Sequence, residues 1–249
     1  MKVYMGEATY TPGTYAKARL SAAEMADRYI REWDEKRISK PEIRPRLFPT
    51  ICFSRKIGVG ALEVADILSE MIGYRVVDRE ILEHIAGEAK LSEKTVAVFD
   101  ERYPGKLNEF LALAFGEKAF IKSDYARHLF KAIYAIAWLE PTIFVGRGVH
   151  LLLPRDRVMA VRFVGSKAHR VQRLAGILEV DEADVEKKLA EIDTEQRDFF
   201  KRVYGRKDAR LDEFDLGINL ETITEPEWAA RIVVRACEAK FGIDLNKIS

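Results

Sequence analysis

Only two cysteines, Cys52 and Cys237, occur in 249 residues. One lies in an apolar run and the other in a helical pattern. Both therefore read as small buried apolar groups, and no disulfide framework or zinc-type spacing is present. The four histidines do not assemble into a Ser–His–Asp triad, and no nucleophile elbow appears. No apolar run approaches the ~20 residues that cross a bilayer, and the N-terminus lacks the apolar core of a signal peptide. A cytoplasmic protein with no membrane association is expected. Charge of one sign is also missing: 41 basic and 40 acidic residues leave a net charge of +1. Bulk charge gives no reason to expect nucleic acid as a partner. No internal repeat or low-complexity tract is present.

What remains is a soluble globular composition, 48% hydrophobic and 33% charged, long enough to bury a sizeable core. Residues 1–19 show no sustained period and read as irregular. Ser21-Ala22-Ala23-Glu24 is a capping box for a helix to about Lys36, with Met25, Tyr29 and Trp33 on one face. Three prolines between Lys40 and Pro49 mark an extended linker. This arm could pack back on the core or reach a second subunit as a homodimer contact; for Trp33, ordinary packing is the simpler reading.

Beyond the linker, strands and helices alternate. Strands are expected in the apolar run that opens at Thr50, and over Tyr74–Val77, Thr142–Val145, Val158–Val164 and Phe214–Leu220. Gly73 is a C-cap, Asp78 an N-cap, and Ser92 caps a further helix. The chain from Leu91 to Glu140 is mostly helical, broken at Pro104-Gly105. Helices follow over Lys167–Leu174, from Asp181 to Tyr204, and over Glu225–Lys240, the last with Trp228, Ile232, Val233 and Ala236 facing inward. This alternation predicts an α/β fold, a parallel sheet of about five strands flanked by helices.

The organising stretch is Thr50-Ile51-Cys52-Phe53-Ser54-Arg55-Lys56-Ile57-Gly58-Val59-Gly60-Ala61-Leu62-Glu63. Strand, glycine turn and helix form the layout that presents backbone N–H groups to phosphate. A full Walker A loop is G-x-x-x-x-G-K-[ST]. With Gly60 as its last glycine, Arg55, Ala61 and Leu62 replace the first glycine, the lysine and the hydroxyl residue. A degenerate phosphate loop and a tight strand–helix turn are both compatible with this.

Three further features fall at or after strand ends, where α/β sheets bind ligands. Asp78-Arg79 is either a helix cap beside an exposed arginine or a grip on substrate. Gly146-Arg147-Gly148 places an arginine at a strand exit, suited to bidentate phosphate contact or to a structural salt bridge. The basic residues Arg170, Arg173, Arg197, Lys201, Arg202, Arg206, Lys207 and Arg210 form either a solvated face or a hairpin that stabilises a transferring phosphoryl group. His150 reads as a partly packed helix residue.

In order and spacing these pieces resemble the cytidylate kinase-like family, a branch of the nucleoside monophosphate kinases, from about Pro49 to Leu245. They are Ile51 to Gly60, Tyr74-Arg75-Val76-Val77-Asp78-Arg79-Glu80-Ile81-Leu82, Ile143-Phe144-Val145-Gly146-Arg147-Gly148, Val161-Arg162-Phe163-Val164 with Arg170, the Arg197 helix, and Phe214-Asp215-Leu216-Gly217-Ile218-Asn219-Leu220. The resemblance implies a P-loop NTPase-type sheet with a helical insertion and a lid. The arm would be 1–48 and the α/β domain 49–249, with an acceptor-side region at about 79–140 and a lid at about 175–212.

Carried over, donor phosphate binding falls to Ser54, Arg55, Lys56, Gly58 and Gly60. Acceptor binding falls to Asp78, Arg79 and Arg147, and the lid to Arg173, Lys201 and Arg202. Lys56, Arg170 and Arg197 are the catalytic candidates; no metal ligand is assigned. The implied activity is phosphoryl transfer from ATP, with Mg2+, to a nucleotide or related small phosphorylated acceptor. The alternative is a catalytically impaired nucleotide- or phospholigand-binding protein acting as sensor or scaffold. Two departures stand out. True cytidylate kinases carry an aspartate where this chain has Gly148, and the family commonly has an arginine where it has Leu62.

Overall fold

The computed structural model describes residues 3–5, 8–10, 20–37, 48–102 and 124–245. Numbered in chain order, the elements are β1 (Val3–Met5), β2 (Ala8–Tyr10), α1 (Ala22–Arg37), β3 (Thr50–Ser54), α2 (Ala61–Ile72), β4 (Arg75–Asp78), α3 (Arg79–Gly87), α4 (Ala89–Arg102), α5 (Asp124–Leu139), β5 (Thr142–Val145), β6 (Val158–Val164), α6 (Lys167–Leu178), α7 (Glu182–Tyr204), β7 (Leu216–Asn219) and α8 (Pro226–Phe241). Five strands form one all-parallel sheet in the order β4-β5-β3-β6-β7. The chain leaves the central strand β3 for one edge and later returns to its other side at β6. That reversal opens a crevice at the carboxyl end of β3, the expected place for a ligand. The architecture is an α/β fold, one parallel five-stranded sheet flanked by helices.

Strand alternation divides the core. Cys52, Val77, Phe144 and Ala160 point to one face, beneath α1, α3, α4 and α5. Ile51, Phe53, Val76, Ile143, Val145, Met159 and Val161 point to the other, beneath α2 and α8. Both faces are dry, which is why the strands read as near-continuous apolar runs. A third cluster joins α6 to α7 through Val171, Leu174, Val185, Leu189 and Ile192, and Ile57 of the glycine loop inserts into it.

Several local signals act as their chemistry dictates. Ser21 and Glu24 exchange the capping-box hydrogen bonds, Asp78 caps α3 through Ile81 N–H at 3.0 Å, and Asp181 caps α7 through Ala183 N–H at 2.7 Å. Gly73 ends α2 with φ +70°. Both cysteines are buried thiols, and burial pushes Cys237 up to about 12.

Other expectations need correction. Residues 3–5 and 8–10, read as irregular, pair as an antiparallel hairpin. Ser92 lies inside α4, whose N–H donates to Glu88 O, rather than capping it. α6 runs to Leu178, four residues past its expected end, and β7 is shorter than Phe214–Leu220. On α8, Trp228 and Ile232 are solvent-facing, at 61% and 39% exposure. The buried stripe is Ala229, Ala230, Val233, Val234 and Cys237, because small residues let α8 approach α2 closely. The proline-rich linker (38–47) and the Pro104-Gly105 break lie outside the described residues.

Candidate phosphate-binding site

The glycine loop joins β3 to α2. Gly58 and Gly60 both have positive φ, +87° and +98°, a region costly for side chains. A Cβ on Gly58 would stand 2.8 Å from Leu174 Cδ1, and one on Gly60 would stand 3.3 Å from Arg173 Nε. The glycines thus let helix α6 lie directly against the loop. Arg173 donates to Glu63 at 2.7 Å, and both side chains line a 130 Å³ recess with His169, Leu220, Thr224 and Pro226.

The cations of the loop diverge. Arg55 is buried, and its guanidinium runs towards Gly146, 3.6 Å from where a Cβ would stand there. The Arg55 carbonyl accepts from Gln196 at 2.9 Å. Lys56 is half exposed, with Nζ 3.7 Å from Asp193. Ser54 Oγ accepts from Arg162 at 2.6 Å. Lys56, Arg162, Arg197 and Lys207 surround a small recess of 60 Å³ with Asp193 and Asp208. That is about the share of two waters.

Arg170, a catalytic candidate on sequence, is 2% exposed. It forms two hydrogen bonds to Asp193, at 3.0 and 2.8 Å, and one to Ile57 O at 3.1 Å. These contacts fasten α6, α7 and the loop together, so Arg170, buried at 2% exposure, is held by a structural clamp. Arg197, by contrast, is exposed and donates to Thr194 Oγ1.

Asp78 and Arg79, at the end of β4, are both buried. The expectation of an exposed Arg79 is corrected: its Nε lies 3.2 Å from Glu83 and 3.9 Å from Glu80. Arg147 forms an ion pair with Glu83 and stacks over the Phe199 ring at 4.0 Å. Its Nε is buried with no hydrogen-bond partner among the described residues. Burial pushes its pKa down to about 8, with Arg79 and Arg55 adding repulsion that the Glu80 carboxylate only offsets in part. Arg79, Glu83, Tyr125, Arg147, Gln196, Phe199, Lys201 and Arg202 line a cleft of 960 Å³. Lys201 and Arg202, assigned to the lid, therefore face this cleft.

The profile of the cytidylate kinase-like family matches residues 50–222, a span that takes in the glycine loop, the cleft residues, α6 and α7. The chain belongs to that family. An uncharacterized protein from Eubacterium ventriosum shares its fold, with a TM-score of 0.58 at 20% identity over 78% of this chain and 99% of that one. Shikimate kinase from Bacteroides thetaiotaomicron aligns at a TM-score of 0.41 and 11% identity, over 78% of this chain and 98% of its own. No curated protein matches the sequence.

The glycine at 148, where true cytidylate kinases carry an aspartate, has a structural cause. Its φ is +68°, and a Cβ there would meet Tyr204 at 2.8 Å and Phe200 at 3.1 Å. The tyrosine that ends α7 fills the space an aspartate would need. His150, next along, is buried and stacks on Phe214 at 4.6 Å; burial lowers its pKa to about 4. It stays neutral and has a packing role.

Glu83, Phe199, Asp193, Arg162 and Tyr204 were not among the sequence-derived site residues. Glu83 could have been found, since it sits four residues from Arg79 on one helix face. For Asp193, the same i, i+4 rule points to Arg197, whereas the structure pairs it with Arg170.

Among the described residues no group of three or more His, Cys, Asp or Glu is placed to hold a metal, and Glu63, in the first turn of α2, is paired with Arg173. This donor set does not fit a resident ion. No helix among them is long and apolar enough to cross a membrane.

Proposed function

We propose that this protein is a phosphotransferase of the nucleoside monophosphate kinase type. The Arg79–Arg147 cleft takes the phosphate end of a nucleotide or a related small acceptor, and ATP is the donor. The observation that carries this reading is Arg147, a buried guanidinium beside two other arginines, paired with Glu83 at one end and with its Nε unpartnered among the described residues. Repulsion at such a group is relieved most directly by an anion, and a planar fork matches a phosphate bidentately.

Catalysis would proceed by positioning and charge neutralisation, with in-line transfer and no covalent intermediate. Arg147 and Arg79 orient the acceptor phosphate. Lys56 and Arg197, around the small recess between loop and lid, supply charge that the missing loop lysine would have given. Magnesium would arrive coordinated by the nucleotide phosphates, as it does where a protein supplies few ligands.

A second reading, binding without turnover, is favoured by one contact. Arg173 lies over Gly60 and pairs with Glu63, where a donor triphosphate would lie along the loop.

A thermal-shift series with ATP, GTP, CMP, UMP, dCMP and AMP, each with and without Mg2+, separates the two readings. Ligand at a hundred times its Kd stabilises the native state by about 2.7 kcal/mol. Shifts with one monophosphate and, dependent on Mg2+, with one triphosphate support the transferase, and a coupled assay on that pair then measures turnover. A monophosphate shift with no triphosphate shift favours binding alone. Flat curves throughout refute both. Replacing Lys56 and Arg55 together by alanine should abolish any turnover; retained activity would remove the loop cations from the mechanism.

A further inference from the structure

We propose that Tyr204 is a positioning residue: its hydroxyl fixes the backbone of the Gly146-Arg147-Gly148 turn and so sets the aim of Arg147 into the cleft. This inference rests on the phosphate-binding reading of that cleft.

Three consecutive residues of the turn have positive φ: +98°, +56° and +68°. The outer two are glycines, for which this is unremarkable; Arg147 is not, and a side-chain-bearing residue there needs to be held. The turn is anchored at its start by Gly146 N–H, which donates to Phe53 O at 2.8 Å. In its middle, Tyr204 Oη donates to the Arg147 carbonyl at 2.5 Å. At its end the Tyr204 ring crowds Gly148 so closely that no side chain fits there.

The same helix supplies the surface on which the guanidinium lies, since Phe199 of α7 stacks beneath Arg147. α7 therefore fixes Arg147 twice, at the backbone through Tyr204 and at the side chain through Phe199. Tyr204 does not line the cleft, so its effect on a ligand passes through Arg147. The ring itself is set by Phe130, stacked at 6.2 Å and 27°, and by Phe200 at 5.2 Å. A purely space-filling tyrosine would be served as well by phenylalanine. The hydrogen bond distinguishes the two roles.

The test compares wild type, Tyr204→Phe and Phe130→Leu by titration with inorganic phosphate, followed by 31P NMR, alongside Tm. Tyr204→Phe keeps every ring contact and loses one hydrogen bond, so phosphate Kd should weaken roughly three- to tenfold while Tm falls by only a few degrees. Phe130→Leu loosens the same wall but keeps the hydroxyl; its Tm should fall while its Kd stays at the wild-type value. An unchanged Kd in Tyr204→Phe overturns the inference, as do equal Kd losses in the two variants. If wild type itself does not bind phosphate, the reading of the cleft fails and the inference falls with it. Binding by wild type with no effect of Tyr204→Phe refutes the inference alone.

Discussion

At the scale of single residues, the cleft turns on Arg147, and its geometry makes lysine a poor substitute. Lysine would keep the charge but present a point donor in place of a planar fork, and it would lose the stacking on Phe199. Arg147→Lys should weaken phosphate or monophosphate binding roughly ten- to a hundredfold, the effect of losing a hydrogen bond to a charged partner of about 1.5–3 kcal/mol. Calorimetric titration reads this directly. Gly148 poses the opposite case. Restoring the aspartate of true cytidylate kinases by Gly148→Asp places a Cβ 2.8 Å from Tyr204 at φ +68°. Overpacking of this kind costs about 1–3 kcal/mol. At about 2–4 °C per kcal/mol for a chain of this size, Tm should fall by roughly 2–12 °C. No gain in CMP affinity is expected, because the same clash disturbs Arg147. The arginine between two glycines was legible in sequence. The reason for the second glycine was not, since the tyrosine that demands it lies 56 residues further along the chain.

At the scale of elements, α6 and α7 dock on the glycine loop through one buried ionic contact and one apolar plug. Arg170 grips Asp193 with two hydrogen bonds, while Ile57 fills the space between α6 and α7. Removing the countercharge by Asp193→Asn leaves the buried Arg170 guanidinium with neutral acceptors only, Ile57 O among them, a loss of about 3–5 kcal/mol. Because these contacts join α6 and α7 to the loop and not to the sheet, opening should be local. Hydrogen exchange in Asp193→Asn should show α6 and α7 amides deprotected while β3 amides stay slow; uniform deprotection would mean that the lid and sheet unfold as one unit. Helix positions and strand order of appearance could be read from caps, glycines and apolar periodicity, which are local signals. The pairing of Arg170 with Asp193 could not, because ion-pair choice depends on how two helices cross. The same limit explains α8: its apolar residues give a helical period, but Trp228 and Ile232 lie just outside the arc that α2 covers.

At the scale of the whole molecule, α1 is part of the core and not an appendage. Tyr29 donates to the carbonyl of Val76 at 3.1 Å, and Trp33 Nε1 donates to Glu140 at 2.7 Å. Arg75 joins the contact by pairing with Glu32 and Glu140. Ala26, Tyr29, Ile30 and Trp33 are buried in the same cluster as α3, α4 and α5. The sequence placed Tyr29 and Trp33 on one helix face but left open what that face meets, since nothing local distinguishes a fold-back from a partner contact. Here the face is covered within the chain. Trp33→Ala should therefore destabilise the whole protein by about 3–5 kcal/mol, the cost of emptying a buried tryptophan site. That corresponds to a fall in Tm of roughly 6–20 °C. It also leaves Glu140 without its indole donor near the edge strand β4, which leads directly into Arg79 of the cleft. If α1 instead served mainly to join subunits, Trp33→Ala would shift the mass seen by light scattering and leave the Tm of dilute protein nearly unchanged. A large Tm loss at constant mass is the result expected from the packing of this helix against the sheet.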